Sequence, residues 1–178
     1  MVLNPKSIGI IGSIATFVGL LFLLIIPLIG LVILFAARIG LLIAFKDLSK
    51  TLNNAKIFKY KFKSIVLGVV ALMIFMLSLY TTSYLVGPKG MPEGIEDILS
   101  GGAMNILLLG LIIAWIIIIV SVIYVKKAYD LLASLLDIRY FRWIGLVYLI
   151  GVVSIVTGLG ILIALIGALV ELLSWIHV

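Results

Sequence analysis

The sequence predicts an all-α polytopic membrane protein, a transmembrane helical bundle of about six spans in three hairpins, and three observations predict it. Of its 178 residues, 65% are hydrophobic and 11% charged, with a mean hydropathy of +1.45, whereas soluble domains sit near a quarter charged. A chain of 19.4 kDa has too small an interior to hide that much apolar surface, which leaves the bilayer as its solvent. The apolar residues also fall into uncharged runs of span length. Finally, Lys and Arg crowd two of the connections and avoid a third.

The first run, Ser7 to Phe45, contains one charge, Arg38. As a single helix it would extend about 58 Å, against a hydrocarbon core about 30 Å thick. Pro27, followed by Gly30, supplies the break, because proline removes a helix N–H and its ring clashes with the preceding turn. Two spans follow, about 7–26 and 28–45. The uncharged runs 64–86 and 102–125 each have the length of one tilted span. The last run, 142–176, is interrupted at Gly158-Leu159-Gly160, which divides it into spans of about 142–157 and 160–176. A single long helix here, giving five spans, is the alternative. One integral membrane domain over residues 1–178 is the resulting organisation.

Orientation follows the positive residues of short loops. Residues 46–63 carry Lys46, Lys50, Lys56, Lys59, Lys61 and Lys63, and residues 126–142 carry Lys126, Lys127, Arg139 and Arg142. Residues 87–101 offer Lys89 against Glu93, Glu96 and Asp97. The expected location is the cell membrane, with both termini and the two basic loops cytoplasmic and loop 87–101 external. The same bias accounts for the net charge of +6 through anionic lipid headgroups, so the lipid bilayer is the expected partner and nucleic acid is not.

Outside the spans, Ile57 to Lys63 interleaves aromatics with lysines; on a helix Phe58 and Phe62 share a face, and the lysines read as a collar snorkelling to the headgroups. In 127–140 the polar residues Lys127, Asp130, Ser134 and Asp137 recur at three- and four-residue spacing, the pattern of an amphipathic helix that either lies on the inner surface or extends the fourth span. Pro88, Gly90, Pro92 and Gly94 mark loop 87–101 as turn-rich.

Chemistry has few carriers. Without cysteine and with one histidine, His177, thiolate sites, Fe–S clusters, bis-His haem and zinc triads are excluded. No nucleophile stands near a base, and no phosphate loop is present; no catalytic residue, cofactor or metal is expected, and the chain does not read as an enzyme. Two charges lie within spans, Arg38 and Glu171, each costing about 2.5–3.5 kcal/mol to insert at a span centre. Three readings stand open: Arg38 snorkels while Glu171 reaches water or is protonated; the two form a structural ion pair; or they form an ion-coupling site. Rows of small residues, Gly9, Gly12, Ala15, Thr16 and Gly19 in the first span and Gly160, Ala164, Gly167 and Ala168 in the last, allow helices to approach closely, within the bundle or between partners.

The run Ala128-Tyr129-Asp130-Leu131-Leu132, with Arg139-Tyr140-Phe141-Arg142-Trp143-Ile144-Gly145 and its continuation to Gly151, resembles the C-terminal signature of a prokaryotic, largely archaeal family of small multi-spanning membrane proteins, domain of unknown function nine-nine-six. Ile8 to Ser13 and Lys56 to Lys59 are similar to it as well. The resemblance implies a membrane bundle and brings no activity or site residue with it. Absence of Gln and Cys, with few Asn, matches the depletion of thermolabile residues in heat-loving organisms, and an archaeal thermophile is the expected source. The expected role is a non-enzymatic accessory or structural subunit of a membrane complex, or a homo-oligomer. The alternative is a small transporter or channel-like protein with Arg38 and Glu171 as polar contacts.

Overall fold

A computed structural model describes residues 4–86 and 102–178. Six α-helices account for nearly all of them: α1 (Pro5–Ile25), α2 (Pro27–Thr51), α3 (Ala55–Val86), α4 (Gly102–Leu136), α5 (Tyr140–Val153) and α6 (Gly160–Ile176), with a 3₁₀ turn at Ser154–Thr157 between the last two. No strand occurs among the described residues. Loop 87–101, with Glu93, Glu96 and Asp97, lies outside the described residues.

Local chemistry sets the boundaries. Asn4 caps α1, its side chain accepting from the Lys6 N–H at 3.2 Å, and Pro5 occupies the first turn, where no N–H is needed. Ile26, preceding Pro27, leaves the helical region at φ −135° and ψ 87°, as the residue before a proline is forced to do. Asn53 and Asp137 adopt φ 49° and 54°, left-handed conformations that short polar side chains tolerate, and they end α2 and α4. Gly158, at φ 78°, turns the chain into α6. The last run is therefore two helices, which pack on one another: Gly160 lies so near the Gly151 carbonyl and the Ile155 backbone that a Cβ would not fit.

Two helices run past their sequence-predicted spans. α3 begins at Ala55 rather than Ser64, and α4 continues to Leu136 rather than Val125. At 32 and 35 residues they measure about 48 and 52 Å. No Pro or Gly stands in 55–64 or 125–136, so continuing the helix satisfies each backbone group more cheaply than a loop would. The amphipathic stretch thus extends the fourth span.

The chain divides into two compact units, one built from the described residues up to Ile65 with Ser121–Val178, the other from the described residues between Val66 and Val120. In the first unit, α1 and α2 form a hairpin at glycine contacts: a Cβ on Gly12 or Gly19 would press on Leu41 or Leu34, and one on Gly30 would overlap the Leu23 backbone. α6 closes on α1 where the Trp175 ring lies against Gly9, leaving no room for a Cβ. The Ser121 hydroxyl donates to the Ser64 carbonyl at 2.7 Å, joining α4 to α3. Within lies an aromatic core. Phe45 meets Tyr129 and Trp175 edge-on at 5.1 and 5.8 Å between centroids, and Phe141 stacks on Tyr129 at 5.7 Å, arrangements the ring quadrupoles favour.

In the second unit α3 and α4 meet through small residues. Ala71, Ser78, Gly110 and Ala114 are buried, and Ser78 rests directly against Gly110. The outer faces of both units are apolar: Ile25, Leu28, Val32, Met73, Leu77 and Val156 are all exposed. Water-soluble monomers rarely show apolar surface on this scale. Helices α1 to α4, and α5 taken with the 3₁₀ turn that follows it (Tyr140–Thr157), are long and apolar enough to cross a membrane, and Gly160–Ile176 is a shorter apolar helix.

Candidate functional site

Burying a carboxylate in this core requires hydrogen bonds to it, since an ionised group removed from water without partners costs many kcal/mol. Glu171, fully buried on α6, has them. The Tyr129 hydroxyl of α4 donates to Oε1, and the Tyr148 hydroxyl of α5 donates to Oε2 at 2.6 Å. One side chain thereby ties three helices together. Gly167, one turn before Glu171, makes room for Tyr148: a Cβ there would press to 3.0 Å on its ring. Trp175, one turn after Glu171 on the same face, fills the space beside Phe45 and Phe141.

Lys61 of α3 is also fully buried. Its Nζ lies 4.6 Å from the Phe45 ring centroid and 4.9 Å from that of Tyr129, so two π faces share the cation, each worth about 2 kcal/mol in a dry setting. It has no hydrogen-bond acceptor among the described residues. Arg38 of α2, half-buried, places Cζ 5.4 Å from the Tyr148 ring centroid, and its Nη1 is buried without an acceptor. Each of α2 to α6 contributes to one polar cluster inside an aromatic wall.

Arg38 and Glu171 therefore reach the same cluster and meet through Tyr148. They are not an ion pair: among the described residues the single ion pair is Lys126–Asp130 at 2.6 Å, one turn apart on α4. The expectation that Glu171 reaches water is corrected, because tyrosines on two neighbouring helices enclose it. The expectation that Lys61 belongs to a snorkelling collar is corrected as well. Lys59 and Lys63 are exposed, but a step of two residues rotates a helix by about 200°, and Lys61 points the opposite way, into the core. Phe58 and Phe62 do stack on the outer face at 5.8 Å.

The small residues lie at helix contacts. Gly9 faces Trp175, Gly12 faces Leu41, Gly19 faces Leu34 and Gly160 faces Gly151; Ala168 is buried, and the Ala164 backbone lies beside Gly151. Sequence reasoning missed Lys61, Tyr129 and Tyr148. Two signals were available. Ile57, Lys61 and Ser64 follow four- and three-residue spacing, one helix face on which a lysine is out of place. Tyr129 shares its face with Leu132 and Ala133, and a tyrosine among apolar neighbours calls for a hydroxyl partner.

Apolar helices of spanning length, an apolar exterior and an enclosed polar cluster define a multi-pass helical membrane protein. Residues 38–169 match the family described as Protein of unknown function (DUF996), and the chain belongs to that family. The matched region contains Arg38, Lys61, Tyr129 and Tyr148, and Glu171 follows two residues after it. Over 172 residues the chain is 23% identical to Uncharacterized protein MJ1644 of the archaeon Methanocaldococcus jannaschii, covering 97% of this chain and 90% of that relative. No solved structure matches.

Proposed function

We propose that the protein is a non-enzymatic component of the cell membrane, a small accessory or structural subunit of a membrane complex or a homo-oligomer. The observation that supports this reading is the closed state of the carboxylate: both oxygens of Glu171 are taken by tyrosine hydroxyls from two other helices. A carboxylate occupied in this way serves to lock helices in register. The surface left for interaction is apolar, and its partners are lipid and other membrane helices rather than nucleic acid. The termini and basic segments face the cytoplasm in this reading, on the Lys and Arg bias.

A second reading, a small transporter or channel-like protein, draws on the buried Lys61, which brings another charge to the cluster of Arg38 and Glu171. Extraction into native nanodiscs followed by mass spectrometry separates the two. A stoichiometric partner or a defined homo-oligomer supports the first. A lone monomer, with liposome flux abolished by Arg38→Ala or Glu171→Gln while folding is kept, contradicts it and supports the second. The chain has no cysteine, so single cysteines at Thr51 and Ser134, both exposed, report sidedness directly: labelling from the cytoplasmic side is expected, and labelling from outside would invert the topology.

A further inference from the structure

Three buried donors of the aromatic core have no hydrogen-bond partner among the described residues. In the aromatic core the two oxygens of Glu171 each accept from a tyrosine hydroxyl, and neither receives a bond from the core's other donors. These donors are Lys61 Nζ, Arg38 Nη1 and Trp175 Nε1. One buried acceptor is also left over, Oδ1 of Asp130, but that carboxylate already holds Lys126 through its other oxygen. Native interiors pair nearly all such groups, with water or ions where protein does not serve. The side chains are uneven in the same sense, two basic groups, Lys61 and Arg38, standing near one acidic group, Glu171. The π faces of Phe45, Tyr129 and Tyr148 offset part of this, yet a ring accepts no conventional hydrogen bond from three ammonium protons.

The donors border common neighbours. Lys61 lies over Phe45, and the Phe45 ring meets Trp175 edge-on. Trp175 is one turn from Glu171, whose partner Tyr148 carries Arg38 on its face. We infer that this cluster binds one small anionic group, with Lys61 as the principal ligand and Arg38 and Trp175 as further donors. A free inorganic ion of chloride size suits the full burial of Lys61; the phosphate of an anionic lipid offers the same chemistry. Either would accept from the unpartnered donors and bring negative charge to the two basic side chains. The inference stands apart from the subunit reading, since an enclosed anion serves a packing component as well as a transporter.

The test uses the full chain in a neutral detergent at constant ionic strength, with chloride exchanged for gluconate. A ligand that binds only the folded state raises its melting temperature in proportion to the logarithm of its concentration once saturating. Wild-type protein should bind radiochloride saturably at one ion per chain, and its melting temperature should fall by several degrees when chloride is withdrawn. Lys61→Met should lose both effects, and Lys61→Arg should keep them. If phosphatidylglycerol, but not chloride, raises the melting temperature in a Lys61-dependent way, the site stands with a lipid occupant. Where Lys61→Met fails to fold, wild-type radiochloride binding and its weakening in Trp175→Phe carry the test. Absence of both chloride and lipid effects in the wild type, or equal effects in wild type and Lys61→Met, overturns the proposal.

Discussion

The two compact units solve the packing problem of an apolar solvent in opposite ways. Between Val66 and Val120, α3 and α4 meet through small residues, with Ser78 against Gly110 and its hydroxyl returned to the Ile74 carbonyl of its own helix at 2.8 Å. The contact depends on shape and involves no charge. In the other unit the same two helices, with α2, α5 and α6, contribute Lys61, Tyr129, Arg38, Tyr148 and Glu171 to one enclosed cluster. Lipid tails are as apolar as leucine, so helices associate without a hydrophobic drive and rely on close packing and polar contacts. Close packing holds two helices at a distance; a carboxylate between two tyrosines also fixes which residues face each other, because sliding either helix by one turn would leave a buried polar group unpaired.

The contrast predicts a graded series of stabilities, read by thermal or denaturant unfolding in one detergent. Glu171→Ala removes the shared acceptor, strands two buried hydroxyls and takes a negative charge away from Lys61 and Arg38; a loss of about 3–5 kcal/mol is expected. Tyr148→Phe deletes one charge-assisted bond and should cost about 1.5–3 kcal/mol. In the second unit Gly110→Ala drives a methyl into Ser78, an overpacking that should cost about 1–3 kcal/mol. Ser78→Ala loses only a bond within its own helix, and a change of about 0.6 kcal/mol or less is expected. If Ser78→Ala cost as much as Tyr148→Phe, the distinction between the units would fail.

The sequence reveals the threading and conceals the cluster, for one physical reason. Spans depend on the sum of many side chains, and breaks on single residues with strong backbone effects: Pro27, Gly158 and Gly160 were readable because each alters what the chain can do wherever it occurs. Arg38 and Glu171 stood out because charge inside an apolar run is costly. Lys61 did not, since it lies among lysines at the end of a span, where snorkelling is the usual fate. Only the start of α3 at Ala55 gives Lys59, Lys61 and Lys63 a helical phase, and that phase turns the middle one inward. Tyr129 and Tyr148 acquire their role from a carboxylate 42 and 23 residues away, a separation that no local pattern spans.

The central claim is that Glu171 and its tyrosines act as one latch. A double-mutant cycle of Tyr148→Phe and Glu171→Gln, each measured alone and together by unfolding in the same detergent, tests it most directly. Residues in one hydrogen-bonded network couple by about 0.5–3 kcal/mol. The double variant should therefore lose clearly less stability than the two single losses added together. Strictly additive losses would show that the two side chains stabilise the bundle independently, and the latch would have to be abandoned.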